Sequence, residues 1–252
     1  LPTTRQTSQT VAALLEIGQE GAKAGTLLSS GLERAFAADV AYPDERLTRF
    51  LQYFDEAKPS LERVFAAAAR LRPEFLPSAF QAEARRLQAS LALSRGLFSQ
   101  GEALARALLP IFGHDRPRTY LILFQNSAER RPSGGFMGSY AEVVFDRGAI
   151  KRLEVPGGGP YDLRSQLRRR WQPPAPLQLV GSRWEFQDAN WQPDFAESAE
   201  TVRTFWSKAG QPTLDGVIAV NSTVLPKLLE LTGPISLPAY GKTVTAENVL
   251  FE

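Results

Sequence analysis

The sequence predicts an α/β protein (α+β overall), with an N-terminal helical bundle followed by a mixed-sheet α/β domain. Apolar residues recur at helical spacing up to about residue 113. Beyond that point the repeat shortens from about 3.6 residues to about 2, the period of a strand. Strand-like and helix-like runs then alternate, the pattern of helices packed on a sheet. The 252 residues, 43% of them hydrophobic, suffice for a core in each part. The expected boundary falls near residue 115, giving a bundle over 1–115 and an α/β domain over 116–252.

Within the first part, Leu47, Phe50, Leu51 and Phe54 sit on one helical face. Leu61, Val64, Phe65, Ala68 and Leu71 repeat that face. Pro59-Ser60 reads as a new helix start with Ser60 as N-cap, and Pro73 as a stop. Ser78 and Gln81 have capping-box spacing. From Phe80 to Leu108 the apolar and small residues step by four and three, a heptad seam. The spacing predicts a rod that buries this seam against the earlier helices, or pairs as a coiled coil.

In the second part, Tyr120–Phe124 reads as a buried strand and Ser139–Phe145 as a second. Asp146-Arg147-Gly148 predicts a tight turn into a third strand ending at Val155. Residues 156–187 are rich in Gly, Pro and Arg and read as loop. Asp194 can cap a helix carrying Phe195, Val202, Phe205 and Trp206. Asp215–Val220 is a fourth strand, followed by a helix capped by Asn221 or Ser222 and stopped at Gly233-Pro234. Thr245 reads as the N-cap of one more helix.

Composition removes several chemistries. With no cysteine there is no disulfide framework, thiol nucleophile or zinc ribbon. The one histidine, His114, would have to serve any Ser-His-Asp triad. The sequence opens on Leu1, and Met137 is its one methionine, so a further N-terminal segment is expected. No apolar run is long enough to span a bilayer.

Charge is unevenly spread. Residues 1–115 are balanced, residues 116–183 carry net +7 and residues 184–252 net −5. The basic segment includes Arg130, Arg131, Arg164, Arg168, Arg169 and Arg170. Guanidinium forks match phosphate, so an anion site is one reading and a set of solvated loop arginines the other. Nucleic acid is not expected, because aromatic residues are not interleaved with the positive charge.

Two stretches are specific: Phe124-Gln-Asn-Ser-Ala-Glu-Arg-Arg-Pro-Ser-Gly-Gly-Phe-Met-Gly-Ser-Tyr140 and Asp188-Ala-Asn-Trp-Gln-Pro-Asp-Phe195. With Asp215–Val220 and Leu231-Thr-Gly-Pro-Ile235 they resemble the bacterial family called domain of unknown function 4012, over about residues 117–252. That resemblance implies a membrane-anchor helix, a helical stretch and then this domain outside the membrane. A more distant resemblance is to the LytR-CpsA-Psr family, which transfers glycopolymers from a polyprenyl pyrophosphate carrier to the cell wall. Glu129 and Arg131 stand where that family has an acidic-x-Arg loop. Gly138-Ser139 replaces its metal-binding Asp, and Val155-Pro156-Gly157 replaces its Arg-Asp.

The expected ligand-binding set is Asn126, Glu129, Arg130, Arg131, Gly134, Gly135, Ser139, Asn190 and Arg164. Glycines here let the backbone approach an anion and offer it N–H groups. Asp188 and Asp194, with Asn190, could give oxygen ligands to Mg²⁺. Their plainer roles are a Glu129–Arg131 ion pair and an Asp194 N-cap. Glycoside hydrolysis by Glu129 with Asp188 or Asp194 ranks below phosphate chemistry. Trp184, Phe186 and Trp191 either line an apolar pocket or fill a core. The expectation is an extracytoplasmic, membrane-anchored envelope protein that binds, and in one version transfers, a phosphorylated or polyprenyl-pyrophosphate-linked glycan. The alternative is a non-catalytic scaffold. A lipid tunnel ending at Arg131 would favour the first, and aromatic filling beside the sheet the second.

Overall fold

A computed structural model describes residues 4–167, 171–179 and 181–250. The expectations placed on Arg168, Arg169 and Arg170 lie outside the described residues. The chain divides into two compact units, one of residues 1–117 with 146–149, the other of residues 118–145 with 150–252.

The first unit contains α1 (Thr4–Ala35), α2 (Pro43–Arg70) and α3 (Ser78–Ile111). α1 and α2 pack along each other through Ile17, Ala24, Phe54, Leu61, Val64 and Phe65, and Leu91 and Phe98 of α3 close that core. Small residues set the spacing. A Cβ on Gly31 would sit 2.7 Å from Tyr53 Cβ, so only glycine allows this approach of α1 to α2. The turn residues 146–149 belong to this unit. Within it Asp44 N donates to Arg147 O at 3.3 Å, and His114 Nδ1 lies 2.8 Å from Asp44 Oδ2.

Three local expectations are corrected here. Pro59 starts no helix but lies inside α2. It is exposed, and on the solvent side of a helix the backbone hydrogen bond that a proline cannot make costs less than it would in the core. Ser78 makes no capping box. The N-cap position is Pro77, without a side-chain cap, and Gln81 Nε2 instead donates to Leu76 O at 3.0 Å. The seam of α3 is only partly as expected. Ala84 is buried and Leu91 and Phe98 half-buried, but Phe80 is 61% and Leu87 36% exposed. An α-helix drifts against a strict heptad, so Gln88 and Glu102 take the inward places of Leu87 and Gly101. Gln88 Nε2 donates to Ala68 O at 2.8 Å, and Glu102 pairs with Lys58.

The second unit is an α/β fold built on a mixed sheet. β1 (Arg118–Asn126), β2 (Phe136–Asp146), β3 (Ala149–Glu154) and β4 (Gly216–Asn221) lie in the order β3-β2-β1-β4. β1 is antiparallel to β2 and parallel to β4. Arg147 and Gly148 both have positive φ, at 54° and 80°, as a two-residue type I′ turn between β2 and β3 requires. The β1–β2 register slips between Phe124 and Gln125, leaving Gly138 as the extra residue of a bulge.

α4 (Phe195–Lys208) packs its Val202, Phe205 and Trp206 against Leu121, Leu123 and Tyr140 of the sheet. The connection from β3 to α4 forms short 3-10 turns and contributes Leu163, Phe186 and Ala189 to the same core. α5 (Val224–Thr232) follows β4. Its N-cap is Thr223, not Asn221 or Ser222, and no side chain caps it. β5 (Ile235–Leu237) and β6 (Lys242–Val244) form a small antiparallel pair that the sequence reading missed. Thr245 Oγ1 accepts from Glu247 N at 3.2 Å, but only turns follow among the described residues.

Candidate functional site

Parallel strands β1 and β4 end side by side, with Gln125 in register with Asn221. Both apolar runs switch to amides and hydroxyls at this edge: Gln125-Asn126-Ser127 in one strand, Asn221-Ser222 in the other. The carboxyl edge of parallel strands, where strand order changes direction, is where open α/β sheets bind ligands. Ser127 Oγ and Ser222 Oγ are 2.9 Å apart, and Ser222 N donates to Gln125 O at 3.0 Å.

Residues 126–135 fold back over this edge. Ala128 N donates to Asn126 Oδ1 at 3.0 Å, and Phe136 N to Glu129 O at 2.9 Å. Gly134 has φ 116°, and a Cβ there would meet Gln125 Oε1 at 3.3 Å and the Asn221 amide at 3.5 Å. A Cβ on Gly135 would lie 2.6 Å from Asn126 O. Gly135 is therefore needed for the close approach of two backbone segments, and Gly134 for its positive φ beside the Gln125 and Asn221 side chains.

Asn190 ties this loop to the segment before α4. It is fully buried, and its Nδ2 donates to Gly135 O at 2.8 Å. Ser133 Oγ donates to Asn190 O. Asn190 Oδ1 is buried without a hydrogen-bond partner. Asn190 thus braces the loop through its amide nitrogen.

Arg131 Nη2 contacts Glu129 Oε1 at 3.1 Å and Asp188 Oδ1 at 3.5 Å, and its guanidinium lies 5.1 Å over the Phe136 ring. Its Nε is buried without a partner. Burial raises the Asp188 pKa, the nearby Arg131 opposes that, and Glu185 and Glu129 add to it. Trp184 Nε1 donates to Asp188 O at 3.0 Å and fixes the backbone there. Arg131 and Asp188 therefore meet, and each is partly neutralised by the other.

The remaining predicted residues separate. Asp194 Oδ1 accepts from Ala196 N at 2.7 Å as the N-cap of α4. Arg164 sits 3.2 Å from Glu185 Oε1, which Arg183 approaches at 3.3 Å. Ser139 lies within β2 opposite Phe124, and Arg130 is exposed. Among the described residues no three His, Asp or Glu side chains converge as a metal would need. The donor set expected for Mg²⁺, Asp188 and Asp194 with Asn190, is divided among an ion pair, a helix cap and a buried brace.

Among the described residues, most of the basic segment's arginines pair with carboxylates of the protein itself. Besides Arg131 and Arg164, Arg118 pairs with Asp215 at 3.1 Å, and Arg152 holds the buried carboxylate of Glu142. Of the aromatic side chains read as either pocket lining or core, two fill the core. Phe186 is 1% exposed, and Trp184 packs against the same cluster with Trp171. Trp191 is only half-buried and stands outside that cluster. Sequence reasoning missed Glu185 and the Ser127–Ser222 pair. The repeated polar ending of two apolar strands was the signal for the latter.

This is an α/β domain with a polar strand edge closed by its own glycine loop. The family model described as "Protein of unknown function (DUF4012)" matches residues 115–251, and the chain belongs to that family. No curated protein and no solved structure matches the chain significantly.

Proposed function

We propose that the chain is an extracytoplasmic, membrane-anchored component of the bacterial cell envelope that acts by binding and assembly rather than by catalysis. One observation carries this reading: the space beside the sheet, where a polyprenyl tail would need a tunnel, is filled by Tyr140, Phe186, Phe205 and Trp206 with Trp171 and Trp184 packed on them. The dispersal of the Asp188, Asn190 and Asp194 oxygens supports it further, because metal-assisted phosphoryl transfer needs such groups on one ion.

A second reading keeps a phosphorylated or lipid-linked glycan as the ligand, held at the surface by Arg131. It is favoured by the buried, unpartnered Arg131 Nε and by the weak 3.5 Å contact to Asp188, a carboxylate already disfavoured in its charged form. An incoming phosphate could take over such a fork. The test is calorimetric titration of a soluble polyprenyl pyrophosphate analogue and of inorganic pyrophosphate, with and without Mg²⁺, into wild type and Arg131→Ala. The assembly reading expects no binding at millimolar ligand and a lower melting temperature for the variant. Saturable binding that Arg131→Ala weakens at least tenfold overturns it in favour of the glycan reading.

A further inference from the structure

We infer that the helical unit pairs with a second copy of itself through the outer face of α3. Having turned Leu91 and Phe98 toward the α1–α2 core and Ala84 toward Ala13, Leu71 and Leu76, α3 carries another apolar stripe on its far side. Leu93, Leu97, Gln100, Leu104, Ala107 and Ile111 step by 4, 3, 4, 3 and 4, the spacing of a coiled-coil seam. Leu93, Leu97, Leu104 and Ile111 are 69%, 62%, 60% and 44% exposed. A Cβ on Gly96 or Gly101 beside them would meet nothing within 4 Å, so another helix could come close.

The charge pattern selects the occupant. From Leu87 to Ile111 the charged residues are Arg95, Glu102 and Arg106. They reach α2, at Glu62, Lys58 and Asp55 respectively. The outer face over this length is therefore uncharged. A membrane-surface helix of this kind would carry Lys or Arg along the edges of its apolar face, and a charged protein partner would need an opposing charge. A parallel pair, with its two-fold axis along α3, brings each seam residue near its own copy, where any charge would repel itself, and this face has none to repel. Gln100 is the one strongly polar member of the seam. An amide both donates and accepts, so it can bond its own copy, as a polar seam residue does when it fixes register.

The stripe is about 27 Å long at roughly 1.5 Å per residue and about 10 Å wide. That footprint is well under the roughly 800 Å² per partner of a standard interface, which points to a reversible dimer favoured by high local concentration.

Sedimentation equilibrium of the whole chain over a concentration series reads this directly. The expected result is a reversible monomer–dimer equilibrium in wild type. Leu97→Glu with Leu104→Glu should abolish it without lowering the thermal midpoint, since both side chains are already exposed. Leu15→Glu, on an exposed position of α1, should leave the dimer intact. Because the chain has no cysteine, Gln100→Cys should form a disulfide-linked dimer under mild oxidation, while Glu74→Cys should not. Wild type that stays monomeric into the millimolar range overturns the proposal. So does a dimer that survives the double glutamate change. Monomeric protein that co-sediments with phosphatidylglycerol vesicles, and loses this on the same double change, would instead assign the face to a membrane.

Discussion

Asn190 Nδ2 donates to Gly135 O at 2.8 Å from a position with no solvent exposure. This bond links two segments separated by 55 residues and carries the loop that closes the β1–β4 edge. Asn190→Ala removes the donor and leaves a buried carbonyl unpaired, at an expected cost of about 1–3 kcal/mol. Urea denaturation followed by tryptophan fluorescence tests it, since Trp171, Trp184 and Trp206 all report on this unit. An unchanged midpoint would remove Asn190 as the brace.

Gly135→Ala and Gly138→Ala contrast a crowded glycine at positive φ with an open one. An alanine Cβ at 135 would lie 2.6 Å from Asn126 O, a backbone atom that cannot move aside cheaply, whereas at 138 it would meet nothing within 4 Å. Gly135→Ala should therefore cost about 1–3 kcal/mol, the range of overpacking, and Gly138→Ala much less. Equal effects in thermal melts would mean that the loop relaxes around the added methyl.

Much of this architecture was legible from periodicity alone. The change of repeat after residue 113, the Arg147-Gly148 turn and the Asp194 cap each follow from local chemistry that tertiary packing did not override. The α2 helix was harder to read. Pro59 carries a stop signal, and only its exposed position, unknowable before the helices are paired, makes it tolerable. Of the candidate site residues, Glu129, Arg131 and Asp188 come together, while Asp194, Arg164 and Ser139 lie apart in a helix cap, another ion pair and a strand. Sequence places Arg131 and Asp188 in specific motifs. Whether their charge faces a ligand or each other depends on a fold-back that spacing does not encode.

In the helical unit, burial and exposure should separate cleanly. Phe65 lies in the α1–α2–α3 core, with Phe98 at a ring-centroid distance of 6.4 Å. Phe65→Ala should cost about 3–5 kcal/mol. Leu93→Ala, on the exposed outer face of α3, should stay within about 0.5 kcal/mol at concentrations where the chain is monomeric. Circular dichroism at the helix band measures both.

Two carboxylates should bend the pH dependence of stability in opposite senses. The hydrogen bond from Lys23, then that involving Ser60, with Arg63 nearby, lowers the Glu20 pKa from an ordinary 4.5 to about 2. A folded pKa below the unfolded one means stability that is present above about 4.5 and lost as pH falls toward about 2. Glu20→Gln should flatten this acid loss in the helical unit. Asp188 is raised, chiefly by burial. Its folded form holds the proton more tightly than the unfolded chain, so its ionisation removes stability as pH rises through the carboxylate range. Asp188→Asn should therefore stabilise the α/β unit at neutral pH and change little in acid. Melting curves across the acid range would contradict this if the variant melted lower than wild type at neutral pH.

Arg164 and Arg183 offer the sharpest division between a structural and a ligand-binding arginine. Both approach the same oxygen of Glu185, at 3.2 and 3.3 Å, and that carboxylate is only 10% exposed. Arg164 is 60% exposed and Arg183 25%, so neither alone is a strong bridge. Removing either leaves Glu185 with one partner, and each single change to alanine should cost at most about 1 kcal/mol. Removing both leaves a buried carboxylate uncompensated, a state that costs about 3–5 kcal/mol when nothing relaxes around it. The double variant should thus lose clearly more than the sum of the singles, and denaturant titration of the four proteins gives the coupling directly. Glu185→Gln should rescue the double variant, because it removes the charge that was stranded. Additive losses, or no rescue by Glu185→Gln, would show that the two arginines do not serve Glu185 and would return Arg164 to the list of groups available for an anion.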